Sequence, residues 1–466
     1  MSVPSVHRLP FADRIGLAAL LTFAGLLRAF VLWNYGAKLA EDNDQYRAIA
    51  QEVVAGRGFS DPETQLPTAY RPPLYPLLIA GILVSGGGNL TVGFVQLALG
   101  VATVGFTYLA GRRLGLGRAS FIAGLLVALD PLLLYQTALV MTETTAAFLA
   151  AVVLWLCSER PGRLRSFGFG VALGMCCLCR PTFWAFAAVA AVVWGILYWR
   201  RESRSNLPSS TGRANGGEVD AMGPPPSPTA TLPEGEGRSE HDCWRNALAT
   251  LAGIALVIAP WALRNAVVTG WPIVTTTHGG YTLLLAHNPA YTRAVVEQPW
   301  GSLFEGAAFD EWSAGLEADM ARENPPIDSS HLSPAAELAR DRWMNEHAWK
   351  YIREEPGTAV RAGLTLLGRF WNLTPFATER TPVSKTMRIG VAAFYVAVTV
   401  ALLAGFCRRS RADWLRWWPA AALIVSFSLV HSLYWADMRM RTPVVPAIAL
   451  FAAVCIRPRG NPGDNV

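Results

Sequence analysis

Charge is scarce in this chain. Only 16% of its 466 residues are Asp, Glu, Lys or Arg, against about 25% in soluble globular domains. Cysteine is missing from the long polar stretches: Cys157, Cys176, Cys177, Cys179, Cys243, Cys407 and Cys455 all lie in apolar blocks or beside basic loops. There is no disulfide framework and no zinc spacing, and the 176–179 triplet, in an apolar helical stretch without a nearby His, reads as packing. With 52% hydrophobic residues, a secreted, fibrous or wholly disordered chain is excluded. The net charge of +6 is no nucleic-acid signal, because the arginines stand in short clusters between apolar blocks. That is the charge pattern of membrane topology.

Apolar blocks of spanning length are what the chain does have. A hydrocarbon core of roughly 30 Å takes about 20 apolar residues per helix. Ten segments approach that length: 15–33, 92–110, 119–138, 143–158, 166–179, 183–199, 246–262, 389–406, 417–435 and 442–456. The expected fold class is therefore all-α, a polytopic membrane protein with about ten transmembrane helices. The first block contains Arg28, ends at Trp33 without a small-residue cleavage site and is followed by further spans, so it is read as a retained span and not as a signal peptide.

Short loops set the expected orientation. Arg112, Arg113 and Arg118 share one loop, Arg160, Arg163 and Arg165 another, and Arg408, Arg409, Arg411 and Arg416 a third; the excess of Arg marks all three as cytoplasmic. Alternating ten spans from an inside N-terminus places both termini in the cytoplasm, in the cytoplasmic (inner) membrane. It requires 74–85 and 357–373 to lie as helices at the outer interface. Two long segments, 34–91 and 264–388, then face outward. Residues 1–200 form an N-terminal transmembrane module and 244–466 a C-terminal one. Between them 201–243, with Pro224-Pro225-Pro226 and many Gly, Ser and charged residues, is expected to be a disordered cytoplasmic linker.

The unusual polar residues gather on the outer side. Glu41-Asp42-Asn43-Asp44-Gln45-Tyr46 follows the first span and precedes a helical pattern. A carboxylate near apolar surface can take a proton from a hydroxyl nucleophile, and equally Asp or Asn at a helix start can cap it. Tyr70-Arg71-Pro72-Pro73-Leu74-Tyr75 pins an arginine at the membrane surface, where it could hold a lipid phosphate or merely anchor to headgroups. Glu143 opens one span and Asp130 closes the preceding one; both carboxylates could line an outward cavity or serve as helix caps. Arg28, Arg180, Arg264, Arg439 and Arg441 recur at the same face. Snorkelling accounts for each alone, but together with the acids they suggest a site for a phosphorylated lipid and a hydroxyl acceptor.

In this order these residues resemble the GT-C class of membrane glycosyltransferases that use polyprenyl-phosphate sugars, near the protein-O-mannosyltransferase-like and lipid A aminoarabinose transferase-like branch. The matching elements are Asp42 to Tyr46, Gly56 to Phe59, Arg71 to Pro76, Glu143, Arg180-Pro181-Thr182, Pro260-Trp261 with Arg264-Asn265, Gly279-Gly280 and Arg439 to Pro443. Coverage runs from about 15 to 456 apart from the linker. Three elements depart from the family pattern: His287-Asn288-Pro289 stands where Gly-Asn-Asn-Pro is usual, His278 precedes Gly279-Gly280 in place of Asn, and Met440 replaces an aromatic residue.

The resemblance implies an inverting transfer of a hexosyl or pentosyl unit from a polyprenyl-phosphate donor to a hydroxyl of a lipid, glycan or protein. No nucleotide-binding motif is needed, and none is visible. It also implies Asp42 as general base, Asp44 or Glu143 orienting the acceptor or a metal, and Arg71, Arg264, Arg439, Arg441 and Arg28 holding the departing phosphate. Tyr46, Tyr70, Tyr75, His287 and Asn288 would contact acceptor or sugar. The donor and membrane lipid are the partners implied, with no nucleic acid and an acceptor that the sequence does not name. No cofactor is specified, although several carboxylates without His leave a divalent metal open. The competing reading is a polytopic lipid or polysaccharide transporter or flippase, which would also bury charges, though no internal repeat of the carrier type is visible.

Overall fold

A computed structural model describes residues 10–159, 162–205, 237–327, 333–376, 383–409 and 411–456. Among them the chain is helical, with one isolated bridge between Ser60 and Pro67. The first module comprises α1 (Phe11–Tyr35), α2 (Tyr46–Val54), α3 (Leu74–Val84), α4 (Asn89–Arg113), α5 (Ala119–Leu129), α6 (Pro131–Gln136), α7 (Glu143–Cys157), α8 (Arg163–Cys179) and α9 (Phe183–Ser205). The second comprises α10 (Gly237–Thr269), α11 (Gly279–Ala286), α12 (Pro289–Tyr291), α13 (Ala307–Arg322), α14 (Pro334–Glu354), α15 (Pro356–Phe370), α16 (Lys385–Cys407), α17 (Arg411–Val430) and α18 (Val445–Val454).

Among the described residues, four segments are long and apolar enough to cross a membrane alone: Phe11–Ala40, Asn89–Arg113, Trp244–Thr269 and Lys385–Cys407. Their outer faces carry large apolar side chains in the open, such as Leu26, Phe30 and Trp33 on α1, Leu263 and Val267 on α10, and Val400 and Leu403 on α16. Faces of this kind need lipid around them, and the protein is a multi-pass membrane protein. Helices α3, α5, α7 and α9 add shorter apolar stretches.

Two expected spans depart from a single continuous α-helix. The 119–138 segment breaks where Pro131 cannot continue a helix; Asp130 ends α5 and caps α6, its Oδ1 accepting the Leu133 amide at 3.0 Å. The last span opens as a 3-10 turn, Met438–Val444, before α18. At the expected linker, α9 runs to Ser205 and α10 starts at Gly237, so both edges of 201–243 are helical, and 206–236 lies outside the described residues.

The main core is built from α7, α8, α9, α17 and α18, where Leu154, Phe183, Phe427 and Phe451 are buried together. The triplet Cys176, Cys177 and Cys179 is buried in it, so these thiols do pack as small hydrophobes. Helix α8 lies directly on α10. A Cβ at Gly170 would strike the Thr250 carbonyl and one at Gly253 the Phe167 carbonyl, and small residues of this kind are what lets two helix backbones touch in lipid.

Candidate active site

The turn after α1 brings the acidic motif onto the start of α2. Asp42 Oδ2 accepts the Ala48 amide at 2.9 Å, so the carboxylate caps a first-turn amide of α2 from three residues before its N-cap, Gln45. Its other oxygen, Oδ1, is buried and has no hydrogen-bond partner among the described residues. One carboxylate therefore leaves an oxygen for each of the two roles that the sequence left open. Gln45 enters α2 in the left-handed conformation, φ 59°, which a side chain with a Cβ rarely adopts and which tertiary contacts must hold.

Three acid–arginine pairs lie around this turn. Asp44 meets Arg71 at 3.0 Å, Glu143 meets Arg180 at 3.4 Å, and Asp437 meets Arg439 at 3.1 Å. They form one electrostatic group, since Asp437, Glu143 and Asp44 all act on the charge of Arg439, and Asp44, Arg71, Glu143 and Arg180 all act on Tyr46. Glu143 is 1% exposed, and its Oε2 has no partner among the described residues; nor does Nε of Arg71. Arg180 also donates from Nη2 to the Met440 sulfur at 2.7 Å, so the unusual Met of the 439–443 motif packs on the Arg of another motif. Tyr46 and Tyr75 stand edge to face with centroids 5.3 Å apart, and the Arg71 guanidinium lies 5.0 Å from the Tyr70 ring centroid and 5.7 Å from that of Tyr46. Burial, with Asp44 next, raises the Tyr46 pKa, so its phenol stays protonated.

The C-terminal end of α10 fastens the two long loop segments, 34–91 and 264–388, to the bundle. Trp261 donates to the Thr275 carbonyl at 3.0 Å and Asn265 to that of Ile273 at 2.7 Å. Arg264 donates to the Thr68 carbonyl at 2.7 Å and to the Phe59 carbonyl. The Gly280 amide, at the start of α11, donates to Asp341 Oδ1 at 2.7 Å, and a Cβ at Gly280 would run into the Asp341 carbonyl. His278 precedes this contact, its ring edge-on to Tyr70 with centroids 4.4 Å apart. Burial, then the Arg71 and Arg340 charges, hold its pKa down at about 3, so the ring is neutral at ordinary pH.

The remaining candidates have other neighbours. Arg28 is fully buried, donates to the Ala24 carbonyl at 3.3 Å and feels the charge of Asp130. Arg441 donates to the carbonyls of Phe370 and Asn372, at 3.3 and 3.1 Å, and lies over the Tyr395 ring; Tyr395 in turn donates to Asp130. His287 Nε2 pairs with the Leu433 carbonyl at 2.8 Å, while Asn288 caps α12, its Oδ1 accepting the Tyr291 amide at 2.8 Å. Among the described residues no three His, Cys, Asp or Glu side chains are grouped to hold a metal ion. Asp44 and Glu143, the carboxylates expected to orient the acceptor or a metal, turn toward Arg71 and Arg180. The sequence reading placed Arg180 at this face without a role and did not single out Arg340 or Asp341. Arg340 and Asp341 stand on a polar helix without a local motif, and only the tertiary fold reveals them.

No protein-family profile matches the sequence, and no curated protein does. Solved structures do match. The archaeal oligosaccharyltransferase AglB from Archaeoglobus fulgidus, in complex with an inhibitory peptide and a dolichol-phosphate, superposes with a TM-score of 0.51 at 14% identity, over 96% of this chain and 50% of that one. The Archaeoglobus fulgidus oligosaccharyltransferase tethered to an acceptor peptide matches with a TM-score of 0.47 at 14% identity, over 94% of this chain and 49% of that one. ArnT from Cupriavidus metallidurans bound to undecaprenyl phosphate matches at 0.38 and 14% identity, over 93% of this chain and 77% of that one. The chain thus spans about half the length of the AglB chain. Over 96% of its own length the chain shares the fold of AglB, a polytopic GT-C fold.

Proposed function

We propose that the protein is a membrane glycosyltransferase that moves a sugar from a polyprenyl-phosphate donor to a hydroxyl acceptor at the outer membrane face, with inversion. The observation that carries this reading is the unpartnered, buried Oδ1 of Asp42 beside three acid–arginine pairs. A hydroxyl placed at Oδ1 gives up its proton to the carboxylate as its oxygen bonds to the sugar C1. The bond from C1 to the phosphate oxygen breaks with its electron pair, and polyprenyl phosphate leaves as an anion. Arg71, Arg180 and Arg439 are the cations available to receive it, and fixed cations at a developing anion in a poorly hydrated site are a large catalytic term. Each is already paired with a carboxylate, so donor binding would exchange one anion for another. Arg264, Arg28 and Arg441 direct donors to carbonyl groups and are assigned structural roles. Tyr46, Tyr70 and Tyr75 form the aromatic wall for acceptor or sugar.

Cells that lack the protein should accumulate its donor. Mass spectrometry of their lipid extract is expected to show an added polyprenyl-phosphate sugar that disappears when the gene is restored. An unchanged lipid-linked sugar pool would count against transfer and favour a carrier.

A further inference from the structure

Helix α14, in the second outer loop, buries a carboxylate for which the proposed reaction has no use. Glu337 is 5% exposed. Its Oε2 accepts the Thr68 hydroxyl at 2.5 Å, and its Oε1 accepts the Ala69 amide at 3.0 Å and the Thr277 hydroxyl. Backbone closes the same joint, the Thr277 amide donating to the Ala69 carbonyl at 3.1 Å. The Thr68 hydroxyl oxygen also accepts the Tyr70 amide at 2.9 Å, and the Thr68 carbonyl takes its bond from Arg264. Residues 68–70 are thus held from α14 on one side and from α10 on the other.

Burying a carboxylate is costly unless donors replace water. Here three do, two of them in the first outer loop and one in the second. Removing the carboxylate would leave those donors facing no acceptor. The chain reaches Arg71 two residues after Ala69, and Tyr70, between them, carries the ring beneath the Arg71 guanidinium.

We propose that Glu337 is a positioning residue: it fixes residues 68–70 and, through them, the Arg71 guanidinium, so that the second outer loop sets the geometry of the site on the first. Its effect on transfer rests on the phosphate-holding role proposed for Arg71. Misplacing a binding group by about 1 Å can cost on the order of 10²-fold in rate, so a displaced joint has a measurable consequence.

The test uses the full-length protein in liposomes with a polyprenyl-phosphate sugar, and hydrogen exchange read on the same samples. In Glu337→Ala, faster exchange is expected at 57–71 and 275–280 but not across the transmembrane helices. Its kcat/KM should drop by roughly tenfold or more. Glu337→Gln keeps an oxygen for the Ala69 amide and offers an N–H to a threonine hydroxyl, so it should stay within about threefold of the parent. In an Arg71→Ala background Glu337→Ala should cost little further, since residues that act as a unit are not additive. Unchanged exchange in those two segments, or an undiminished effect without Arg71, would overturn the proposal. Should Glu337→Ala fail to fold, Glu337→Asp, one methylene shorter, carries the same readouts. If the parent protein transfers no sugar, the proposed function fails, while the exchange pattern still decides whether Glu337 fixes the loop.

Discussion

At the scale of single residues, the question is which polar groups have been left without a partner. Asp42 satisfies the cap of α2 with one oxygen and presents the other, so capping and chemistry need not compete. Sequence alone could only weigh the two, because a cap and a base call for the same residue type at the same position. His278 shows a different limit: a lone His before Gly279-Gly280 carries no local signal, and its environment is made by Tyr70, Arg71 and Arg340 from elsewhere in the chain. With the folded-state pKa held at about 3 and an ordinary value near 6.5, the unfolded chain binds a proton between these values that the folded chain refuses. Stability contributed by the neutral ring is therefore present above about pH 6.5 and is lost as pH falls toward 3. Thermal unfolding in detergent should drop further between about pH 7.5 and pH 5 for the parent than for His278→Gln. Equal drops would show that the ring is not held neutral.

At the scale of elements, apolar length located the helices, and local breakers decided where they stop. Pro131 divides one expected span and leaves Asp130 as a cap, a boundary that is written in the sequence but that hydropathy averages over. The amphipathic stretch read at 357–373 is α15, with Ala362 and Leu366 buried and Val360 and Leu364 exposed. Its one-sided burial suits a helix lying in the interface. If α15 does not cross, positions 300 and 437 share the outer side, and 113 and 416 lie inside. An impermeant thiol reagent applied to single-Cys variants in a Cys-free protein should label the first pair from outside and the second only after permeabilisation. Labelling at 437 only from inside would mean that an odd number of crossings separates it from 300.

At the scale of the whole molecule, the all-α membrane fold was readable from the apolar blocks, and the motif order pointed to the GT-C architecture that AglB shares. What the sequence could not supply is which side chains meet. Arg264 and Arg71 look alike as surface arginines, yet one fastens loop carbonyls and the other faces Asp44. Glu337 and Thr68 are 269 residues apart, and no periodic pattern links them. The fold draws these distant groups together, and in the proposed reaction Asp42 there removes the acceptor proton. The most direct measurement is sugar transfer by Asp42→Asn in liposomes, with expression, thermal stability and donor binding followed in parallel. Asn caps a helix about as well as Asp but takes up no proton at its amide oxygen under these conditions, so stability and donor binding should hold while turnover falls by roughly 10²-fold or more. Near-normal turnover by Asp42→Asn would contradict the account and pass the role of base to Glu143 or Asp44.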